Sequence, residues 1–276
     1  MQYDSRAETE KLKKEYDRIR LTAYFMIAMV ICVILVSAFR KFWLTLIIIA
    51  VTVFLQLFVF RKMQKKYTDH AVTENIRATI GQILHTDKVV MKGAELLDEQ
   101  VIREADLIPA IDKSGAVNLF TAVSGYTGIK ERKMKVTSCD VTIAKHQEGA
   151  RISAEIICGN WIHIELPEVT GYSFIVKDGR ILPSIDREDA GEGERSADIS
   201  ESAEISEKFR RELEKLEEYT TGRISMRVKN DTTDIFLRDR FLAASFSARS
   251  EVTQQMIDWN PLPELEKVLD LVWTLM

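Results

Sequence analysis

Two uncharged apolar runs lie next to each other near the start of the chain, and they constrain its fold more than any other feature. They cover residues 21–39 and 42–60, are equal in length, and are separated only by Arg40 and Lys41. Because a helix rises about 1.5 Å per residue, each run reaches about 30 Å, which matches the hydrocarbon core of a bilayer. We therefore predict a transmembrane helical hairpin over residues 21–60. Arg40 and Lys41 lie at its turn, where their side chains reach the headgroups.

Two alternatives compete with the hairpin. A cleaved signal peptide is disfavoured because a long stretch rich in charge, residues 1–20, precedes the first run. A buried helical pair in a soluble protein is disfavoured because two adjacent runs of membrane length are a specific signal.

Charge is divided unevenly along the chain, whose net charge is −4. Residues 1–66 hold 12 basic and five acidic side chains, whereas residues 67–276 hold 26 basic and 37 acidic ones. Basic residues flank both apolar runs, so the positive-inside rule predicts a multi-pass protein of the plasma or inner membrane with both termini in the cytoplasm. The predicted membrane-interface anchors are Arg40, Lys41, Arg61 and Lys62. The acidic body repels polyanions, which argues against nucleic-acid binding.

The rest of the chain predicts an α+β domain. From Val117 the apolar pattern changes from helical spacing to a period of two, which indicates antiparallel strands with one dry and one wetter face. Gly149 and the pair Gly159-Asn160 are predicted to connect hairpins. The fold class is thus a membrane-anchored α+β protein with an antiparallel sheet and flanking helices. The segments outside the hairpin are a charged cytosolic helix (1–20), a helical connector (61–110), a β-rich part (111–184), an acidic linker (185–205) and a helix, hairpin and C-terminal helix (206–276).

A search for chemistry-bearing motifs yields two weak candidates. No phosphate-binding loop or metalloprotease helix occurs, so we predict no cofactor, and the sequence favours a non-enzymatic role. Cys139, His146, Cys158 and His163 lie close together in the sequence and are weak candidates for a zinc site. Their irregular spacing favours core packing instead, so we predict no metal. Trp161 and His163 share one strand face and are candidates for lining a groove.

The order of segments resembles a family of uncharacterised bacterial membrane proteins, a domain of unknown function. The similar segments are LDEQVIREADLIPAI (97–111), CGNWIHI (158–164) and the helix with its following hairpin (209–237). The resemblance implies an N-terminal transmembrane hairpin followed by a cytosolic α+β domain, and it implies no established activity. The acidic stretch at residues 186–204 departs from the family's pattern, where further ordered structure is expected.

Our leading functional hypothesis is a non-enzymatic, cytosol-facing module that binds another protein or acts as a scaffold. One alternative is a membrane-tethered hydrolase with a site near Cys158 to His163. Another is an oligomeric transport accessory, assembled as a homo-oligomer through the transmembrane hairpin. The expected partners are therefore the lipid bilayer and another protein.

Overall fold

The computed structural model divides the chain into two compact units. It describes residues 5–39, 42–86, 88–92, 96–105, 107–108, 116–127, 133–146, 154–177, 180–183, 205–220, 224–242 and 244–276. Unit 1 consists of Met1–Thr79 and Ala244–Trp259, and unit 2 consists of Ile80–Ala243 and Asn260–Met276. The predicted turn residues Arg40 and Lys41 lie outside the described residues.

Two long helices form the first part of the structure. Helix α1 spans Ser5–Ala38, and α2 (Phe42–Phe54), a π-helical turn (Leu55–Phe60) and α3 (Arg61–Leu84) follow one another without a break. Both long helices are long and apolar enough to cross a membrane, and their most apolar 18-residue windows are only 6% and 0% buried. The predicted runs 21–39 and 42–60 thus form the apolar parts of helices that continue into polar sequence.

The polar parts of these helices pack together in unit 1. Glu8 of α1 lies near His70 of α3, and Thr22 lies near Met63, so the two helices run antiparallel. Residues 244–259, which we call the strap, belong to this unit and contain the short helix α6 (Gln254–Ile257). The sequence predicted neither the strap's location nor α6. The buried apolar core of unit 1 consists of Leu12, Ile19, Tyr67, Ala71, Ala78, Val252 and Ile257.

Unit 2 is built on one eight-stranded sheet in which every pair of neighbours is antiparallel. The strand order is β1-β2-β3-β4-β8-β7-β5-β6. The hairpin of β7 and β8 is confirmed, and Asn230 at its turn has the left-handed φ of 52° that Asn tolerates. The strands are β1 (Val90–Lys92), β2 (Ala116–Tyr126), β3 (Lys135–His146), β4 (Ala154–Glu165), β5 (Ser173–Lys177), β6 (Arg180–Pro183), β7 (Ile224–Lys229) and β8 (Thr232–Arg238).

Gly159 lies inside β4, so the predicted hairpin connection at Gly159-Asn160 is wrong. A Cβ atom on this glycine would clash with the backbone oxygen of Leu237 and would lie 2.8 Å from the ring of Phe236. Gly159 therefore permits the close approach of β8 to β4 and does not break the strand. The other predicted break, Gly149, lies outside the described residues.

Both faces of the central strands are buried, so the prediction of a wetter face is wrong for this part of the sheet. Face 1 carries Cys139, Trp161 and Phe236, which lie directly opposite one another on β3, β4 and β8. Face 2 carries the adjacent row of Ser138, Ile162 and Ile235. All six residues are buried. The side chains do alternate between the two faces of the sheet, but each face packs against its own layer of helices or loops.

Helices and loops form these two layers, one on each face of the sheet. Face 1 packs against a segment that includes α4 (Glu99–Glu104), whose first turn is capped by the carboxylate of Asp98. Face 2 packs against α5 (Glu207–Thr220) through an edge-to-face contact of Phe174 with Phe209, and α5 contacts α7 (Glu264–Trp273). The segment predicted as a helical connector, 61–110, contains α3, β1 and α4. Residues 185–204 of the predicted acidic linker lie outside the described residues.

Candidate functional site

The structure does not bring the four candidate zinc ligands together. Cys139 lies on face 1 with His163, whereas Cys158 lies on face 2, so the sheet separates the two thiols. The Cys139 thiol is buried, 3.4 Å from the backbone oxygen of Phe120. Burial raises the pKa of Cys139 to about 12, so this thiol is protonated at neutral pH. The side chain of His146 lies outside the described residues.

Trp161 and His163 share face 1 as predicted, and both bond to one carboxylate. The His163 Nδ1 lies 2.7 Å from Asp234 Oδ1, and the Trp161 indole N–H donates to the same oxygen over 3.2 Å. Trp161 is fully buried, whereas the His163 side chain retains 15% exposure. Of the two residues proposed to line a groove, only His163 therefore reaches the surface.

His163 and Asp234 belong to a row of polar residues that crosses the sheet. Ser124, Thr137, His163, Asp234 and Arg227 lie directly opposite one another on successive strands. The Thr137 hydroxyl donates to the Ser124 hydroxyl over 3.1 Å. The row places hydroxyl groups on the strands beside a histidine–carboxylate pair.

The surroundings of His163 favour its protonated form. Burial lowers the pKa of His163, but the hydrogen bond and negative charge of Asp234, with a further contribution from Glu165, raise it more. The net pKa lies above the ordinary value, so this imidazole carries a proton over a wider pH range than a solvent-exposed histidine. Among the residues that the structure describes, Asp234 is the hydrogen-bond partner of this ring. The pair is therefore equipped to accept or donate a proton at Nε2, and the described part of the chain places no activated nucleophile beside it.

A second buried polar network lies on face 2, and its hydrogen bonds satisfy one another. Asn160 donates to Asp140 Oδ1 over 2.9 Å and accepts from the Ser138 hydroxyl over 2.8 Å. The backbone N–H of Leu242 donates to the same Asp140 oxygen over 2.7 Å. This network ties β3 to β4 and to the chain after β8, and it serves stability.

Unit 1 holds a group of titratable side chains that the sequence search overlooked. We call Glu8, Glu15, His70 and Glu74 the stalk cluster. The ring of His70 lies between two carboxylates, with Nδ1 3.1 Å from Glu15 Oε2 and Nε2 3.6 Å from Glu8 Oε2. One ligand atom each from Glu8, His70 and Glu74 lies within 4.8 Å of the other two.

The sequence contains only part of the signal for the stalk cluster. His70 and Glu74 are four residues apart in a segment predicted to be helical, so they lie on one face of α3. Glu8 lies in the other predicted helix of unit 1. A site divided between two distant helices shows neither cysteines nor ligands close together in sequence, which are the patterns that indicate a metal site from sequence.

The strap is held by side chains of α3. The Asn75 amide donates to the backbone oxygens of Ile257 and Trp259 over 2.9 Å and 2.7 Å. The Tyr67 hydroxyl donates to the backbone oxygen of Ser250 and accepts from the N–H of Val252. A pocket of about 260 Å³ lies in the strap, lined by Ala244, Ser245, Phe246, Gln255, Met256 and Trp259.

Of the predicted interface anchors, the structure describes Arg61 and Lys62. Both are exposed in the first turn of α3, directly after the apolar part of the second long helix. Side chains at this position reach the headgroup region of a membrane if the preceding helix spans it.

Comparison with known proteins gives no relative. No family model matches the chain, and comparisons with curated proteins and with solved structures find no match. The resemblance to a family of bacterial membrane proteins thus stays a prediction.

Proposed function

We propose that the chain is an integral membrane protein whose two long helices span the bilayer as a hairpin. The outward-facing apolar surface of these helices is the observation that carries the proposal. Ile34, Trp43 and Phe58 are 63%, 77% and 63% exposed. Apolar surface in contact with water costs about 25 cal/mol per Å², and lipid contact removes that cost. Contiguous exposed apolar surface of this kind marks membrane or protein interaction sites.

The basic flanks support an orientation with both termini in the cytoplasm. Arg18 and Arg20 precede the first apolar run, and Arg61 and Lys62 follow the second. Lys and Arg collect on the cytoplasmic side of membrane spans. The polar part of unit 1 and all of unit 2 then lie on the cytoplasmic side of the plasma or inner membrane.

In this proposal, the part of the chain outside the membrane binds another protein. The strap pocket exposes apolar surface on a part of the chain rich in polar groups, and Trp259 at its edge is 58% exposed. Tryptophan is enriched among the residues that dominate protein interfaces. Residues 67–276 carry a net charge of −11, which favours a partner with a basic contact surface.

Site-specific photo-cross-linking of the full chain in native membranes tests this role. A photoreactive amino acid at Trp259 is expected to give one reproducible heteromeric adduct, which Met256→Asp in the pocket removes. The same probe at Tyr126, which is 53% exposed in unit 2, serves as the matched surface control. Absence of an adduct at Trp259, or an identical adduct from Tyr126, contradicts protein binding at the strap.

The histidine–carboxylate pair supports a second candidate, a membrane-tethered hydrolase. A proton acceptor at His163 held by Asp234 is a component of many hydrolytic sites. An activity screen of the full chain against ester, amide and phosphoester substrates tests it. Activity that disappears in His163→Gln, with thermal stability unchanged, favours the enzyme over the binding module.

An exposed amide in the second long helix supports homo-oligomers as a third candidate, which would suit a transport accessory. Gln56 lies in the π-helical turn, among apolar neighbours, and its side chain is exposed. Glutamine amides bond across helices in lipid. Cross-linking in native membranes is expected to give dimers or larger species in the wild type and fewer in Gln56→Leu. Monomers alone in the wild type contradict assembly.

A further inference from the structure

We propose that Glu8, His70 and Glu74 form a zinc site that links α1 to α3 on the polar side of the two long helices. One ligand atom from each side chain lies within 4.8 Å of the others, and His70 Nε2 and Glu8 Oε2 are 3.6 Å apart. Zinc binds imidazole nitrogen and carboxylate oxygen at about 2.0–2.2 Å. Two ligands at that length on a tetrahedral ion are about 3.4 Å apart. The His70–Glu8 pair nearly matches this separation, and the other ligand atoms, within 4.8 Å of one another, must move closer by up to about 1.4 Å.

The orientation of His70 is the second observation behind this site. Its Nδ1 lies 3.1 Å from Glu15 Oε2, which accepts the ring N–H and leaves Nε2 directed toward Glu8. A histidine that binds a metal through one nitrogen characteristically donates from the other to a carboxylate. Glu15 thus orients His70 without being one of the three proposed ligands.

The charges around the cluster permit an ion to enter. Lys11, Lys66 and Arg77 pair with Glu8, Glu15 and Glu74, and their side chains are 61%, 77% and 39% exposed. Ion pairs between partly exposed side chains contribute little to stability, so Lys11 and Lys66 can turn into solvent when zinc binds. Arg77 pairs with a buried carboxylate, so zinc must replace its positive charge directly. Glu74 itself is only 4% exposed, which places one ligand in a shielded position.

The combination of one nitrogen and two oxygen donors defines the class of ion. Imidazole suits zinc and neighbouring transition metals, whereas Mg²⁺ and Ca²⁺ prefer oxygen alone. With three protein ligands, a tetrahedral ion retains one position for water. Bound zinc holds the polar parts of α1 and α3 together in the region where both helices bond to the strap.

Zinc titration of the full chain in lipid nanodiscs, followed by metal analysis after dialysis, tests the site. We expect one zinc per chain, an affinity loss of about 10- to 100-fold in Glu15→Gln, and no stoichiometric zinc in His70→Gln. His85→Asn is the control, because His85 is exposed at the end of α3 with a φ of 50°, which Asn accepts.

Three outcomes overturn the proposal. They are no stoichiometric zinc in the wild type, equal zinc binding by His70→Gln, and loss of zinc in His85→Asn to the same extent as in His70→Gln. Thermal unfolding of each variant without zinc shows whether the helix pair remains folded. If His70→Gln unfolds, Glu8→Gln and Glu74→Gln replace it, and unchanged zinc binding by both is an equally negative result.

Discussion

The hydroxyl of Tyr67 offers the sharpest test of how the strap is held in unit 1. It donates to the backbone oxygen of Ser250 over 3.1 Å and accepts from the backbone N–H of Val252 over 2.8 Å. Burial raises the pKa of Tyr67, and the hydrogen bond from Val252 lowers it to a smaller extent. The phenol therefore stays protonated at neutral pH and can act as donor and acceptor at once.

Tyr67→Phe removes both hydrogen bonds while keeping the ring. Val252 is 1% exposed, so its N–H is left without water, and a buried unsatisfied group costs about 1–3 kcal/mol. Ser250 is exposed, and its carbonyl can turn to solvent at little cost. We expect the strap to lose about 2 kcal/mol of local stability, which corresponds to about 30-fold faster amide exchange at Val252.

Hydrogen exchange of the full chain in nanodiscs measures this change, and Tyr16→Phe is the matched control. The ring of Tyr16 lies 5.9 Å from that of Tyr67, and its hydroxyl donates to the Arg249 carbonyl over 3.3 Å at an exposed position. The control is expected to cost about 0.5 kcal/mol or less. Unchanged exchange at Val252 in Tyr67→Phe, or the same acceleration in both variants, would refute the reasoning.

Three further predictions concern unit 2 and the long helices. The pKa of His163 is raised above 6.5, so its contribution to the free energy of unfolding is full below pH 6.5 and is lost as pH rises through the folded-state pKa. Chemical denaturation at several pH values across this range should show this decrease in stability in the wild type. The Asp234→Asn variant should not show it. Phe209→Ala removes a fully buried ring and should cost about 3–5 kcal/mol of stability in thermal or chemical unfolding, whereas Tyr219→Ala, 44% exposed on the same helix, should cost far less. Cys32 is exposed on α1, and in a membrane the surrounding lipid would shield it from a charged maleimide. The reagent should therefore fail to label Cys32 in native membranes and should label it after SDS denaturation. Rapid labelling in intact membranes would contradict a membrane-embedded α1.

The elements that the sequence predicts well are those whose signals are local. The alternation of Ile224, Met226 and Val228 before Asn230-Asp231 predicts a hairpin, and the structure contains it as β7 and β8. The apolar runs 21–39 and 42–60 fall within the two long helices, except for Phe39, which follows the end of α1. Each signal is confined to one short continuous stretch of chain, so no knowledge of distant packing was needed.

The elements that the sequence does not predict depend on distant partners. β1 is very short and exists because it pairs with β2, which follows only after α4 in the chain. The strap is held through its backbone oxygens at Ile257 and Trp259. Because every residue carries a backbone oxygen, the sequence of the strap contains no pattern that predicts these hydrogen bonds. The stalk cluster combines Glu8 with His70, and nothing in either segment alone specifies that they meet.

The polar groups of the two units differ in how much capacity they retain for binding. In the sheet, Asp234 is engaged by Trp161 and His163, and Asp140 is engaged by Asn160 and a backbone N–H, so buried carboxylates are occupied in holding strands together. In unit 1, Glu8 and Glu15 are partly exposed and pair with exposed lysines, which exchange readily for other positive partners. Such weak, replaceable ion pairs suit a region that binds and releases ligands. Mutations in the stalk cluster and the strap should therefore alter the binding of the proposed zinc ion and protein partner with little loss of folding stability. Mutations of the central polar residues of the sheet should lower the free energy of unfolding before they alter any binding.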